Sequence, residues 1–497
     1  MWITRLYNCQ RLCKWMATWL LLFGSMVASA KPPLTLSLSD AILLAVRDNP
    51  DVKKSEFAEI KSKYRVEIEQ WRFSPQFSLK ATETTSRQYA VAVNDQVTEI
   101  GTTINPSVSM KSRIGTTTNL TLTNNMDHNP YRPGLTLLVT QPLMRGFGRA
   151  IVEQALYNAE DDEKSSRLRR EGQLRATISS VIRSYLGVIS AEDTLRVDQE
   201  AFARAKKSIM QTKLMIKAGQ KAGTELTTQE AGIATNATTI ETAKNDLDEK
   251  RYALLQSIGI DPSTPLVIMP IDPVVLAKKY QVPSLEDAKR NMIEHDVEYR
   301  IAQMTLHGAT TRALLAAEDN QRWKLDATGS LYAGGSGSDQ TGINSILNGV
   351  NQTSVASLEL TVPIDDREAK IAVQEQRIAI REATMGLKTS KWQKETSVIN
   401  GWNAIYSRQR KLRLSENAES LQKKSYAISL QKYSYGLINS IELQREQEQL
   451  MAREQELVSD QVSYLQALVD FDDLLGSTLK TWNISMKDVK DEDAFKK

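Results

Sequence analysis

Beyond position 13 the sequence has no cysteine at all; Cys9 and Cys13 are the only two. Proline is missing over two long stretches, 119 residues between Pro142 and Pro262 and 134 residues after Pro363. Neither charge dominates, with 63 basic against 60 acidic residues. Only three histidines occur, His128, His295 and His307, and they are scattered. Each shortage excludes something. Histidines without ligand spacing leave no metal site to propose. Balanced charge removes the electrostatic case for a nucleic-acid partner. No nucleophile elbow, phosphate-cradling loop or dinucleotide fingerprint is present, so no enzyme chemistry is expected. Gly334-Gly335-Ser336-Gly337 is glycine-rich but lacks the lysine and following helix of a phosphate loop.

The first thirty residues read as a signal peptide, 1–30. Arg5, Arg11 and Lys14 make a positive start without an acidic residue, Trp15 to Phe23 is an apolar run, and Ala28-Ser29-Ala30 is a small-residue cleavage pattern. The apolar run is short for a bilayer-spanning helix, and the cleavage pattern argues against a retained anchor. Removing the signal's three basic residues leaves 60 against 60. Both cysteines leave with it, so an exported mature chain would be held together without disulfides and could carry no lipid on an N-terminal cysteine. No later run of 18 apolar residues occurs. Entry into a membrane would therefore need strands closed into a barrel.

The proline-free stretches are rich in Ala, Glu, Gln, Lys, Arg and Leu, which points to long helices or coiled coils. They also match each other. Gly219 and Gly259 are 40 residues apart, as are Gly436 and Gly476, at a shift of 217. Between them run two heptad rows in the same register: Leu226, Ile233, Ile240, Leu247 and Leu254, then Leu443, Leu450, Leu457, Tyr464 and Phe471. Upstream, Leu38-Ser-Asp-Ala resembles Leu285-Glu-Asp-Ala, Leu79-Lys-Ala-Thr resembles Leu325-Asp-Ala-Thr, and Thr140-Gln-Pro-Leu resembles Thr361-Val-Pro-Ile. The expected organisation is a doubled helix–strand–helix unit. Residues 31–259 form the first repeat, with strands at about 76–141 and a helical hairpin over 145–259. Residues 284–479 form the second, with strands at about 323–362 and a hairpin over 365–476. Between them 260–283 carries five prolines and reads as a linker, and 480–497 is a tail. If continuous, Arg145 to Lys217 would span on the order of 110 Å at about 1.5 Å per residue.

The strand regions alternate with period two, Phe77, Leu79 and Ala81 against Ser78, Lys80 and Thr82, and again over 107–113, 119–123, 135–140, 324–333 and 357–362. This fits a wall with lipid on one side and water on the other, or an ordinary half-buried soluble sheet. Trp71 and Trp323 near strand starts suit an interfacial belt, while Trp392 and Trp402 suit burial in packing. Gly334 to Gly349 reads as a polar surface loop.

Taken in order, these pieces resemble the TolC family of outer-membrane efflux and secretion channels. The segments that carry the likeness are Leu36-Ser-Leu-Ser-Asp-Ala41 running to Asn49-Pro50, Thr140-Gln-Pro-Leu-Met-Arg-Gly-Phe-Gly148, Ala218-Gly219 before Glu225-Leu226, Tyr435-Gly436-Leu437 before Glu442-Leu443, and the helix endings at Gly259 and Gly476. The resemblance implies a mainly α fold with a transmembrane β-barrel portion. It implies a homotrimer in a Gram-negative outer membrane, a trimeric α-helical barrel in the periplasm topped by a 12-stranded β-barrel to which each protomer gives four strands. It implies passive exit of substrates delivered by an inner-membrane transporter through a periplasmic adaptor (membrane fusion protein), in efflux or type I secretion, with no cofactor. By the same likeness Gly219, Gly436 and Leu437 lie at the periplasmic tip turns and contact the adaptor. Acidic rings six and nine residues past the second tip glycine fall here on Glu442 and Arg445, so the second ring turns basic. Glu225 is the first-half counterpart, and Tyr433 matches a position that holds the tip closed. The alternative is that Glu442 and Arg445 are solvated coiled-coil charges and that the chain is a periplasmic scaffold or adaptor without a pore. One departure from the family stands out, an extra candidate hairpin around Ile114-Gly115-Thr116.

Overall fold

Helix starts in this chain are written into short polar caps. Ser37 Oγ accepts from the Asp40 amide at 3.2 Å and donates to its carboxylate at 2.6 Å. Ser284 repeats this with Asp287, at 3.3 and 2.7 Å. These caps open α1 (Leu38–Asp48) and a later helix, Leu285–His295. Asn49 then caps α2 (Pro50–Trp71), whose first residue is a proline that needs no amide partner.

A computed structural model of the chain describes residues 34–90, 95–124, 133–335, 346 and 351–485. The signal peptide, His128, most of the Gly334–Gly349 loop and the end of the tail lie outside the described residues. After β1 (Leu34–Leu36), α1 and α2 come β2 (Gln76–Ala90), β3 (Asp95–Lys111), β4 (Thr117–Thr123) and β5 (Gly134–Pro142). The short α3 (Arg149–Val152) precedes α4 (Gln154–Lys217) and α5 (Thr224–Ile258). Next follow β6 (Leu266–Ile268), α6 (Pro273–Lys279), α7 (Leu285–His295), α8 (Val297–Thr305), a π turn over Leu306–Thr310 and α9 (Thr311–Asn320). The second strand pair is β7 (Lys324–Gly334) and β8 (Asn351–Thr361), and the chain closes with α10 (Arg367–Ser434), α11 (Ser440–Leu474) and α12 (Thr478–Thr481). Among the described residues no helix is long and apolar enough to cross a membrane.

The chain divides into two units. One gathers Met1–Ala45, Val181–Pro273 and Ser415–Val462. Here β1 and β6 pair in parallel, Leu34 with Leu266 through Leu36 with Ile268, so the Pro-rich segment contributes a strand rather than only a linker. Tyr185 on α4, fully buried, fixes this ribbon through its hydroxyl, 2.7 Å from the Met269 carbonyl and 3.1 Å from that of Leu36. Burial pushes its phenol up to about 12. The heptad positions Ile240, Leu247 and Leu254 on α5 and Leu443 and Leu450 on α11 are buried. Leu421 and Ile428 on the last part of α10, and Tyr435 just past its end, follow at seven-residue spacing and are exposed.

The other unit gathers Val46–Ser180, Val274–Leu414 and Ser463–Lys497. It holds a six-stranded antiparallel sheet, in the order β2-β3-β4-β5-β7-β8. Where four strands were implied, six are described, because the chain turns at Gly115 and inserts the β3–β4 hairpin. That turn needs glycine twice over. Its φ is +105°, and a Cβ would lie 2.7 Å from the Gly146 carbonyl oxygen. Cross-strand register sorts the side chains by face. Phe77, Val108, Leu120, Leu137 and Leu331 form one row, and the neighbouring row is Ser78, Ser107, Thr121, Thr136, Tyr332 and Thr353. One face is thus apolar and exposed, with Phe77 at 80% and Leu358 at 71%, while the other is Ser/Thr-rich. The outer strands β2 and β8 each have one partner among the described strands. Below the sheet, buried Glu153 accepts from Arg113 at 2.9 Å, Tyr157 at 2.7 Å and Arg149 at 3.3 Å, tying the strands to the helix start. Trp71 and Trp323 are exposed. Trp402 packs on Tyr406, but Trp392, expected inside, is 57% exposed, in line with Ile371, Ile378 and Met385 on α10.

Candidate functional site

The two helical hairpins reverse direction at glycines with the same geometry. Gly219 has φ +72° and Gly436 φ +73°, and neither has another group near its missing Cβ. At the first turn the Gly219 amide donates to the Ile216 carbonyl and Gln220 to Met215; at the second, Gly436 donates to Tyr433 and Leu437 to Lys432. This is the six-to-one and five-to-two bonding that closes helix ends on a left-handed residue. Every partner is displaced by 217 residues, so the two turns solve the same backbone problem in the same way. Asn439 then caps α11 by accepting from the Glu442 amide at 2.8 Å.

Between the hairpins lies a polar layer. Tyr433 is fully buried, with its hydroxyl 2.6 Å from Thr212 Oγ1 and 3.4 Å from Gln229 Nε2. Thr212 and Gln229 also reach Ser208, through its carbonyl at 3.0 Å and its hydroxyl at 3.4 Å. Lys221 closes the layer at the turn. Its ammonium is 3.0 Å from the Ile438 carbonyl, 3.2 Å from Glu225 and 4.4 Å from the centre of the Tyr433 ring. Farther along, Arg204 pairs with buried Glu454 at 2.7 Å, and Gln455 donates to buried Asp198 at 2.7 Å. Burial pushes the Asp198 carboxyl up, and the Gln455 bond partly offsets this.

Of the residues singled out by sequence, Tyr433 and Glu225 come together through Lys221. Glu442 and Arg445 do not join them; both are exposed on the first turns of α11. Leu437 is exposed at 72%, beside Tyr435 at 79% and Ile441 at 54%. Lys221, Thr212 and Gln229 were not foreseen. A polar residue on an otherwise apolar stripe, as Gln229 is three places after Leu226, was the available signal. Among the described residues no group of His, Cys, Asp and Glu could hold a metal ion.

Residues 41–260 match the family model described as outer membrane efflux protein. No curated protein matches the chain in sequence. Solved outer-membrane channels share its fold. CmeC of Campylobacter jejuni is 14% identical with a TM-score of 0.66, over 90% of each chain. MtrE of Neisseria gonorrhoeae, in its open state, is 16% identical with a TM-score of 0.63, over 88% of each chain. VceC of Vibrio cholerae is 12% identical with a TM-score of 0.64, over 88% of this chain and 96% of that one. The resemblance to TolC-type channels is borne out by the family model over 41–260 and by the shared fold.

Proposed function

We propose that three copies of this chain close around an axis into an exit channel, fed by an inner-membrane pump through a periplasmic adaptor, in efflux or type I secretion. The open sheet carries this reading. In lipid an unpaired strand edge costs several kcal/mol per stranded backbone group, and β2 and β8 both present such edges on a sheet whose apolar face is exposed. Edge pairing between copies, β8 of one against β2 of the next, satisfies both and leaves the Ser/Thr face lining water. The exposed seven-residue row Ile371, Ile378, Met385 and Trp392 gives the helices a matching seam for a neighbour. A scaffold without a pore has no use for the two-faced sheet.

At the narrow end Glu442 and Arg445, one helical turn apart and both exposed on α11, form rings of opposite sign, and the exposed Tyr435, Leu437 and Ile441 offer the adaptor an apolar tip. The test is planar-bilayer recording of the purified mature protein. Discrete conductance is expected. Glu442→Ala is expected to shift ion selectivity towards anions and Arg445→Ala towards cations. A mature chain that stays a buffer-soluble monomer and never conducts would overturn the channel. Unchanged selectivity in both variants would remove these two residues from the aperture.

A further inference from the structure

We propose that Lys221 is a cationic clamp that shuts one hairpin turn against the other within a single chain, so that the closed tip is a property of the protomer before any assembly. The Lys221 side chain is 7% exposed. A buried ammonium is costly unless it is paired, and here one hydrogen bond, one ion pair and one ring face surround it. The ammonium donates to the Ile438 carbonyl at 3.0 Å, pairs with the Glu225 carboxylate at 3.2 Å, and has the centre of the Tyr433 ring 4.4 Å away. Lys221 and Ile438 are the same position of the two repeats, each two residues past its turn glycine. The two positions thus meet, one supplying a charge and the other a main-chain acceptor.

The division of partners makes the clamp reversible. Glu225 belongs to the same turn as Lys221, whereas Ile438 and Tyr433 belong to the other. When the hairpins part, the ion pair travels with the first hairpin, and only a neutral carbonyl and a ring face are given up to water. No bare charge is left behind on either side. Glu225 therefore acts through Lys221, as the group that keeps the ammonium in place.

The mature chain has no cysteine, so a single Ser440→Cys, at a position 1% exposed on the first residue of α11, reports tip opening by its reaction with a methanethiosulfonate reagent. Adding Lys221→Met keeps the length of the side chain and removes the charge. Labelling of Cys at this site is expected to quicken about tenfold, and Lys221→Arg, which can still donate and stack, is expected to restore most of the protection. Labelling within twofold of the parent in Lys221→Met, with helix content unchanged, would overturn the clamp. In bilayers the Lys221→Met channel is expected to conduct more than the parent. That second readout rests on the channel reading, whereas the labelling does not, so a protein that never conducts leaves the clamp to be judged by labelling alone.

Discussion

Replacing Arg170 by methionine probes the polar joint between α2 and α4. The Arg170 side chain is 4% exposed and lies 3.0 Å from Glu59 and 3.2 Å from Glu56, which are themselves 9% and 15% exposed. Removing one partner of a buried pair costs ~3–5 kcal/mol, because the charge left behind has lost its water and its partner. Lys63 still reaches Glu59 at 3.2 Å, so the low end applies, about 3 kcal/mol. At about 1.4 kcal/mol per decade this lowers the hydrogen-exchange protection of the α2 amides over Val52–Val66 roughly a hundredfold. The pH dependence has a definite sign. Burial works to raise the Glu59 pKa, but bonds from Arg170 and Lys63 outweigh it and hold the carboxyl below its usual value. A depressed folded-state pKa gives stability that is complete above the ordinary carboxylate range and is lost as pH falls through the folded value. The gap between parent and Arg170→Met is therefore expected to be full at neutral pH and to close in acid. Adding Glu56→Leu and Glu59→Leu to Arg170→Met is expected to recover most of the protection, since apolar groups of similar size replace buried ions at little cost. Protection within about threefold of the parent at neutral pH, or a gap that persists in acid, would refute the reasoning.

Two smaller perturbations read other parts of the molecule. Tyr433→Phe removes one hydroxyl from Thr212 and Gln229, both of which keep Ser208, so the tip should lose about 1 kcal/mol and open roughly fivefold more often in single-channel records; an unchanged open probability would remove the hydroxyl from the closure. Gly115→Ala combines a φ of +105° with a Cβ 2.7 Å from the Gly146 carbonyl oxygen. It is expected to cost ~1–3 kcal/mol and to lower the thermal midpoint of the folded protein by several degrees in circular dichroism; an unshifted midpoint would mean the hairpin can turn without glycine.

Much of this molecule is local and therefore readable in one dimension. A glycine that must adopt positive φ, a serine that caps the helix beginning one residue on, and a proline-free run of strong helix formers each act over a few residues. That is why Gly219 and Gly436, Ser37 and Ser284, and the period-two strands stand out in the sequence before any contact is known. The reading fell short where the answer depended on residues far apart. The hairpin around Gly115 was visible in the sequence, but that it joins the sheet and raises the strands from four to six was not; there the Gly148 amide donates to the Ile114 carbonyl at 3.1 Å. Trp392 looks like a core residue by type, yet which stripe of a long helix faces inward is set by the partner it meets, and this one faces out.

By itself the sequence determined that no cysteine follows position 13, the order of helices and strands and the places where the helices reverse, since all three follow from residue chemistry and spacing. Only the tertiary structure decided that Lys221 of the first repeat meets Ile438 of the second, that Tyr433 turns its hydroxyl to Thr212 and Gln229, and that Glu225 faces Lys221 while Glu442 and Arg445 face outward. The reason is distance along the chain: apart from Glu225 and Lys221, which share one hairpin, these groups are about 200 residues apart, and which polar atoms end up sharing one dry space is fixed by how two hairpins pack.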